Sequence, residues 1–126
     1  MECDVRIRTV RDAKKLFGYE RVRGSVTIEG TLLSELDSLA TLRQIDGDLR
    51  IVGNAKLTSL HGLKRLTHVG GELELANNGA LRNLAGTSAL AYVGGKLTIS
   101  DHGKLADLSG LGALDEVGDF ELTDNP

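Results

Sequence analysis

Apolar residues recur along this chain every 23 or 24 positions, while the polar residues between them change from one recurrence to the next. Stacked on that period, residues 22–44, 45–68, 69–92 and 93–116 form four repeats, and 117–126 opens a fifth. Three apolar columns belong to one half of the repeat: Val22/Ile45/Val69/Val93/Val117, Val26/Leu49/Leu73/Leu97/Phe120 and Ile28/Ile51/Leu75/Ile99/Leu122. The other half carries Leu33/Leu57/Leu81/Leu105, Leu36/Leu60/Leu84/Leu108 and Leu42/Leu66/Leu90/Leu114. A further column, Leu39/Leu63/Thr87/Leu111, is interrupted by Thr87. One such repeat cannot bury its apolar residues alone. Stacked in register, neighbouring repeats share one continuous core, which is the logic of a solenoid.

The period changes within each repeat. The stretch L-x-I or L-x-L, with polar residues on either side, alternates in twos and predicts a short strand with one face inward. A Gly or Gly-Gly just ahead of it is expected to supply a positive-φ corner. Turn chemistry follows the strand as Gly53-Asn54, Asn77-Asn78, Asp101-His102 and Asp124-Asn125. A leucine at every third position then carries the chain back, a spacing that suits tight helical or extended-turn segments rather than an α-helix. Rungs about 4.8 Å apart give a ladder roughly 20–25 Å long. The column Asn54/Asn78/His102, with Asn125 close to it, is expected to turn its side chains onto backbone groups of the adjacent rung. His102 reads there as a replacement for Asn.

Residues 1–21 differ from the repeats. "DVRIR" (Asp4–Arg8) predicts one more strand, and "TVRDAKKLFGYE" (Thr9–Glu20) a capping helix. Thr9 with Asp12 forms a capping box, Ala13, Leu16 and Phe17 make an apolar face, and Gly18 ends the helix. Such a lid covers the first rung of a solenoid. Phe120 and Leu122 fall on the last rung, where no second lid follows in the sequence, and that edge is expected to be covered by a further part of the chain or by another molecule.

These features together resemble the receptor L domain, whose repeats occur in the ectodomains of insulin- and EGF-type receptors and in many bacterial proteins. The residues that carry the likeness are "VRIRTVRDAKKLFGYERVRGSVTIEG" and the phrase "IDGDLRIVGNAKLTSLHGLKRLTHVGGELELANN" that follows it. The resemblance spans essentially the whole of residues 1–126 and is that of a bacterial-type member. It implies a single domain, mainly β although α/β by convention. The form implied is a right-handed parallel β-solenoid of leucine-rich repeats with an N-terminal capping helix. It also implies a ligand- or protein-binding scaffold without catalysis. Cys3 stands at the first of two positions where members often carry cysteine, and Tyr19 near the second, so the corresponding disulfide does not form.

Composition narrows the function further. With two Phe, two Tyr and no Trp among 126 residues, the core is aliphatic, and an enzyme pocket lined by large side chains is not expected. Stacking aromatics for carbohydrate are scarce for the same reason. The net charge of −3 offers no footprint for nucleic acid or an anionic membrane. Residues 1–23 hold seven Lys/Arg and four Asp/Glu, whereas 24–126 hold eight and fourteen. A lone Cys3 excludes an internal disulfide or zinc spacing. The absence of an apolar leader or an 18-residue apolar run argues against membrane insertion, and a cytosolic setting is expected, with a cell-surface one as the alternative.

No catalytic, cofactor or metal set emerges. His61, His68 and His102 occupy different positions in the repeat and are not expected to converge; no serine has a relay, and the "GG" pairs lack phosphate-loop spacing. "HGLKRLTH" (His61–His68) reads as a solvated basic face. The outward strand positions remain as candidates. They form the columns Ser25/Asp48/Glu72/Lys96/Asp119, Thr27/Arg50/Glu74/Thr98/Glu121 and Glu29/Val52/Ala76/Ser100/Thr123. Another outward column is Gln44/His68/Tyr92/Glu116, in which Tyr92 is the expected exposed aromatic. Candidate partner-binding residues are Arg50, Val52, Glu72, Glu74, Tyr92 and Lys96, with Arg50 and Glu74 expected to pair for about 0.2–1 kcal/mol. The expected role is binding a protein partner or a further domain. The alternative is head-to-tail homo-oligomeric assembly through Phe120 and Leu122.

Overall fold

The structure, a computed structural model, describes residues 4–81, 85–100 and 116–123. Its strands are all paired in parallel and wind into a β-solenoid of about four turns with very little helix. Each early turn contributes two short strands: β2 (Arg21–Val22) and β3 (Val26–Glu29), β4 (Gln44–Ile45) and β5 (Leu49–Val52), β6 (His68–Val69) and β7 (Leu73–Ala76). In the next turn the two merge into β8 (Tyr92–Ser100), and β9 (Glu116–Thr123) follows beside it. The strand Val5–Ile7 (β1) precedes them all and pairs with β3, with Val5 opposite Val26 and Ile7 opposite Ile28.

The register is the one the columns require. Val26, Leu49, Leu73, Leu97 and Phe120 are successive partners, as are Ile28, Ile51, Leu75, Ile99 and Leu122. Because side chains alternate along a strand, one register decision buries every second residue. Val26, Ile28, Leu49, Ile51, Leu73, Leu75, Leu97 and Ile99 are all inside. The return segments close the core with leucines at every third position. Among the described residues, 3-10 turns at Asp37–Leu39, His61–Leu63 and Ala85–Thr87 present Leu39, Leu63 and the buried Thr87 inward. Full burial of each aliphatic side chain contributes about 1.5–3 kcal/mol.

Glycines serve two separate purposes here, and the expected one is misplaced. Positive φ occurs after the strand, at Gly30 (60°), Gly53 (69°) and Asn77 (55°), not at the Gly-Gly pairs before it. The pairs are needed for close approach. The N–H of Gly71 donates to the Gly47 carbonyl at 2.9 Å and that of Gly95 to Gly71 at 2.8 Å, and a Cβ on Gly95 would stand 3.1 Å from the Gly71 carbonyl. Strand β9 has only Gly118 where β8 has Gly94 and Gly95, so the register shifts between Val93 and Lys96 in a bulge.

The lid is shorter than the expected Thr9–Glu20. Helix α1 spans Val10–Lys14, packs on β1 and on the 3-10 turn Asp37–Leu39, and buries Ala13; Leu16, beyond its end, is fully buried. Thr9 Oγ1 accepts from the Asp12 N–H at 3.2 Å, and Asp12 in return accepts from Arg8 N–H at 3.1 Å, one residue ahead of the expected partner. Chiefly through that Arg8 N–H, the Asp12 carboxyl is held below its ordinary value. Phe17 lies past the helix in a turn and is 73% exposed, so it does not belong to the buried face. Gly18 (φ 90°) then reverses the chain, its N–H donating to Thr41 Oγ1.

Candidate functional site

The candidate residues lie on and beside β5, β7 and β8, and the parallel register brings most of them together. Arg50 on β5 stands opposite Glu74 on β7, with Nε 3.8 Å from its carboxylate, and its Nη2 lies 3.9 Å from Glu72. All three side chains remain between 38% and 50% exposed. Ion pairs this exposed contribute about 0–1 kcal/mol, so they order the face more than they stabilise the fold. Val52 is half-buried beside them, and Ala76, opposite it, is buried. Lys96 is half-buried on β8, in register with Asp119.

The Glu72 column has a structural task the sequence reading missed. Asp4 Oδ1 accepts from the Ser25 N–H (2.8 Å), Ser25 Oγ from the Asp48 N–H (2.9 Å), and Asp48 Oδ1 from the Glu72 N–H (2.8 Å). Short polar side chains thus tie each rung to the next at the bend between the two strands. Glycines make room for them, because a Cβ on Gly47 would meet Ser25 Oγ and one on Gly71 would meet Asp48 Oδ1. The recurrence of an oxygen-bearing residue directly after a glycine, in Gly24-Ser25, Gly47-Asp48 and Gly71-Glu72, was the available signal.

Tyr92 is placed differently from expectation. Its ring stacks on His68, with centroids 4.3 Å apart and planes 9° from parallel, so each ring covers a face of the other and Tyr92 is half-buried. Among the described residues the exposed aromatics are Phe17 and Tyr19, the latter 44% exposed, both just after α1. The column Gln44/His68/Tyr92 does hold its register. At its head Arg21 grips Asp46 through Nε (3.1 Å) and Nη2 (2.9 Å), and Gln44 Nε2 donates to the same carboxylate. Asp46 is consequently held below its ordinary value, first by the Arg21 hydrogen bonds, and Arg21 is raised.

At the basic end of the face, Glu29 holds both Arg6 (3.4 Å) and Arg8 (3.3 Å) on a single oxygen. Beside it runs a groove. One part, of about 550 Å³, is lined by Arg8, Glu29, Gly30, Val52 and Gly53; a second, of about 360 Å³, by Arg8, Thr9, Gly30, Leu32 and Leu33. The two share Arg8 and Gly30. Leu32 is 76% exposed at the rim. Charge of both signs is therefore interspersed along the face: Arg6 and Arg8 surround Glu29, Asp48 shares a rung with Arg50, Glu72 and Glu74 follow, and Lys96 lies beyond.

His61 is exposed and His68 is engaged with Tyr92, and among the described residues no group of three His, Cys, Asp or Glu is placed to hold a metal. Among the same residues no helix is long and apolar enough to cross a membrane. His102 and Cys3 lie outside the described residues, as do the side chains of Phe120 and Leu122, whose backbone continues the ladder in register with Leu97 and Ile99. Comparison with family models, curated proteins and solved structures yields no match for this chain.

Proposed function

We propose that the chain is a non-catalytic interaction module that presents the outward face of β1, β3, β5 and β7 to a protein partner. One observation carries this reading. The same register that buries the apolar columns aligns Arg6, Thr27, Arg50 and Glu74 in one outward row, with Glu72 beside it, on a ladder whose core is continuous. A binding face gains from such rigidity, because side chains already ordered in the free protein lose less entropy on association. A fixed pattern of acids and bases favours orientation towards a partner of complementary pattern. The likeness to receptor L domains, as leucine-rich scaffolds for ligands or proteins, supports the same reading.

Charge reversal tests it. Capture from an extract of the natural source is compared for the unaltered chain, for Arg50→Glu with Glu74→Lys, and for Lys64→Glu with Arg65→Glu on the exposed return segment. A partner held by the first and third proteins and lost from the second supports the face; a partner lost only from the third places binding on the return segment instead.

A further inference from the structure

Resting on that reading, we propose that the groove at the corner of the first two rungs takes an extended peptide segment carrying a carboxylate next to an aliphatic side chain. The floor explains why a chain can enter. The corner positions after β3 and β5 are Gly30 and Gly53, both at positive φ, and a Cβ built on Gly30 meets nothing within 4 Å. The third corner is Asn77, which brings an exposed side chain to the same position. The cavity lining accordingly includes the first two corners.

Its walls are of two kinds. Val52, Leu32 and Leu33 supply aliphatic surface, and Leu32 projects into solvent at 76% exposure, whereas the other leucines among the described residues are buried. The lining of both parts also holds Arg8, whose side chain is 60% exposed. Arg6 and Arg8 converge on one oxygen of Glu29, so two guanidiniums face one carboxylate and a positive charge is left over. The neighbouring acid on α1, Asp12, is already occupied by the Arg8 backbone and by Lys15 at 3.9 Å. A second carboxylate, delivered by a ligand, completes the pairing of the two arginines with charge-assisted hydrogen bonds. An adjacent aliphatic side chain then covers Val52 and Leu32.

Display of random heptapeptides tests this, with one library held internally in a carrier and one at its free C terminus. Expected is enrichment of an aliphatic residue beside Asp or Glu in the first library, or beside the terminal carboxylate in the second, which separates the two sources of the carboxylate. Replacing that Glu by Gln, or Arg8 by Gln, should weaken binding about tenfold or more. Leu32→Ser should weaken it by a similar factor. Glu29→Gln provides the sharper sign: it removes the competing internal anion, so affinity for the acidic peptide rises. A fall with Glu29→Gln in a protein of unchanged circular dichroism overturns the proposal, as does enrichment indifferent to Arg8→Gln, or none at all. Peptides lost only with Arg50→Glu and Glu74→Lys overturn the groove while leaving the face as the binding surface. If those variants also keep every captured partner, the face itself fails.

Discussion

Asn78 accepts two hydrogen bonds from Asn54 on the preceding rung, one from its backbone N–H at 3.0 Å and one from its side-chain amide at 3.1 Å, and both residues are fully buried. Asn54 does the same for Thr31, accepting from its N–H at 3.1 Å and its hydroxyl at 2.7 Å. Each Asn also donates to a strand carbonyl, Asn54 to Ile28 and Asn78 to Ile51. One side chain per rung thereby serves backbone groups that the corner removes from the sheet. Asn54→Leu keeps the branched outline, though it is bulkier, and strips partners from the Thr31 N–H and hydroxyl and from the Ile28 carbonyl, and a loss of about 3–5 kcal/mol is expected. Thr31→Val removes a hydroxyl that donates to Asn54 and accepts from the Leu33 N–H, and should cost about 1–3 kcal/mol. Urea titrations at constant m check both values.

Much of this ladder is legible from the residues alone, because burial imposes a period and a period can be read. The columns headed by Val22, Val26 and Ile28 place the strands of the repeats in register, and Asn54 over Asn78 marks the corner. Thr31 heads that ladder but is a different residue type, so composition hides it while register shows it. Contacts between backbones leave weaker traces. The Gly-Gly pairs read as conformational devices, yet they are there for closeness, and nothing in the periodicity distinguishes the two. Phe17 fits a helical face only if the helix continues past Lys14, and the chain instead turns there to reach Thr41. The groove combines Arg8, just after the first strand, with Leu32 and Val52 of later turns, and no single stretch of sequence contains it.

Gly62 and Gly86 illustrate the contacts that periodicity hides. In each, an added Cβ would overlap a backbone carbonyl of the preceding turn, Leu36 for Gly62 and Leu60 for Gly86. Helical propensity alone would have Gly→Ala gain stability. The close approach reverses that sign, and Gly62→Ala is expected to lose about 1–3 kcal/mol. Gly79, with nothing within 4 Å of an added Cβ, serves as the control; Gly79→Ala should change stability by less than about 0.5 kcal/mol. Thermal and urea unfolding of the pair measures the difference.

The Arg21–Asp46 pair gives the fold an acid limb. Asp46 titrates below its ordinary value of 3.8 in the folded chain, so the unfolded chain binds the proton first as pH falls. Its contribution is present in full above that value and is lost as pH drops through the lower, folded one. The melting temperature of Asp46→Asn should therefore lie below that of the unaltered chain by an equal margin at about pH 7 and pH 5, and the margin should shrink at about pH 3. An unchanging margin across the series refutes the pairing as its source.

Arg50 and Glu74 should couple weakly. A double-mutant cycle with Arg50→Ala and Glu74→Ala is expected to return less than about 1 kcal/mol, falling further with added salt. A larger value would make the pair a structural element of the sheet rather than part of a face available to a partner.

The most direct test of the interaction face is contact itself. A photo-reactive benzoylphenylalanine replaces Val52 on the face in one protein and Lys64 on the exposed return segment in another, and each is irradiated in cells of the natural source. The account predicts a discrete protein adduct at Val52 that is absent at Lys64. Equal labelling at both sites, or an adduct at Lys64 alone, would contradict it.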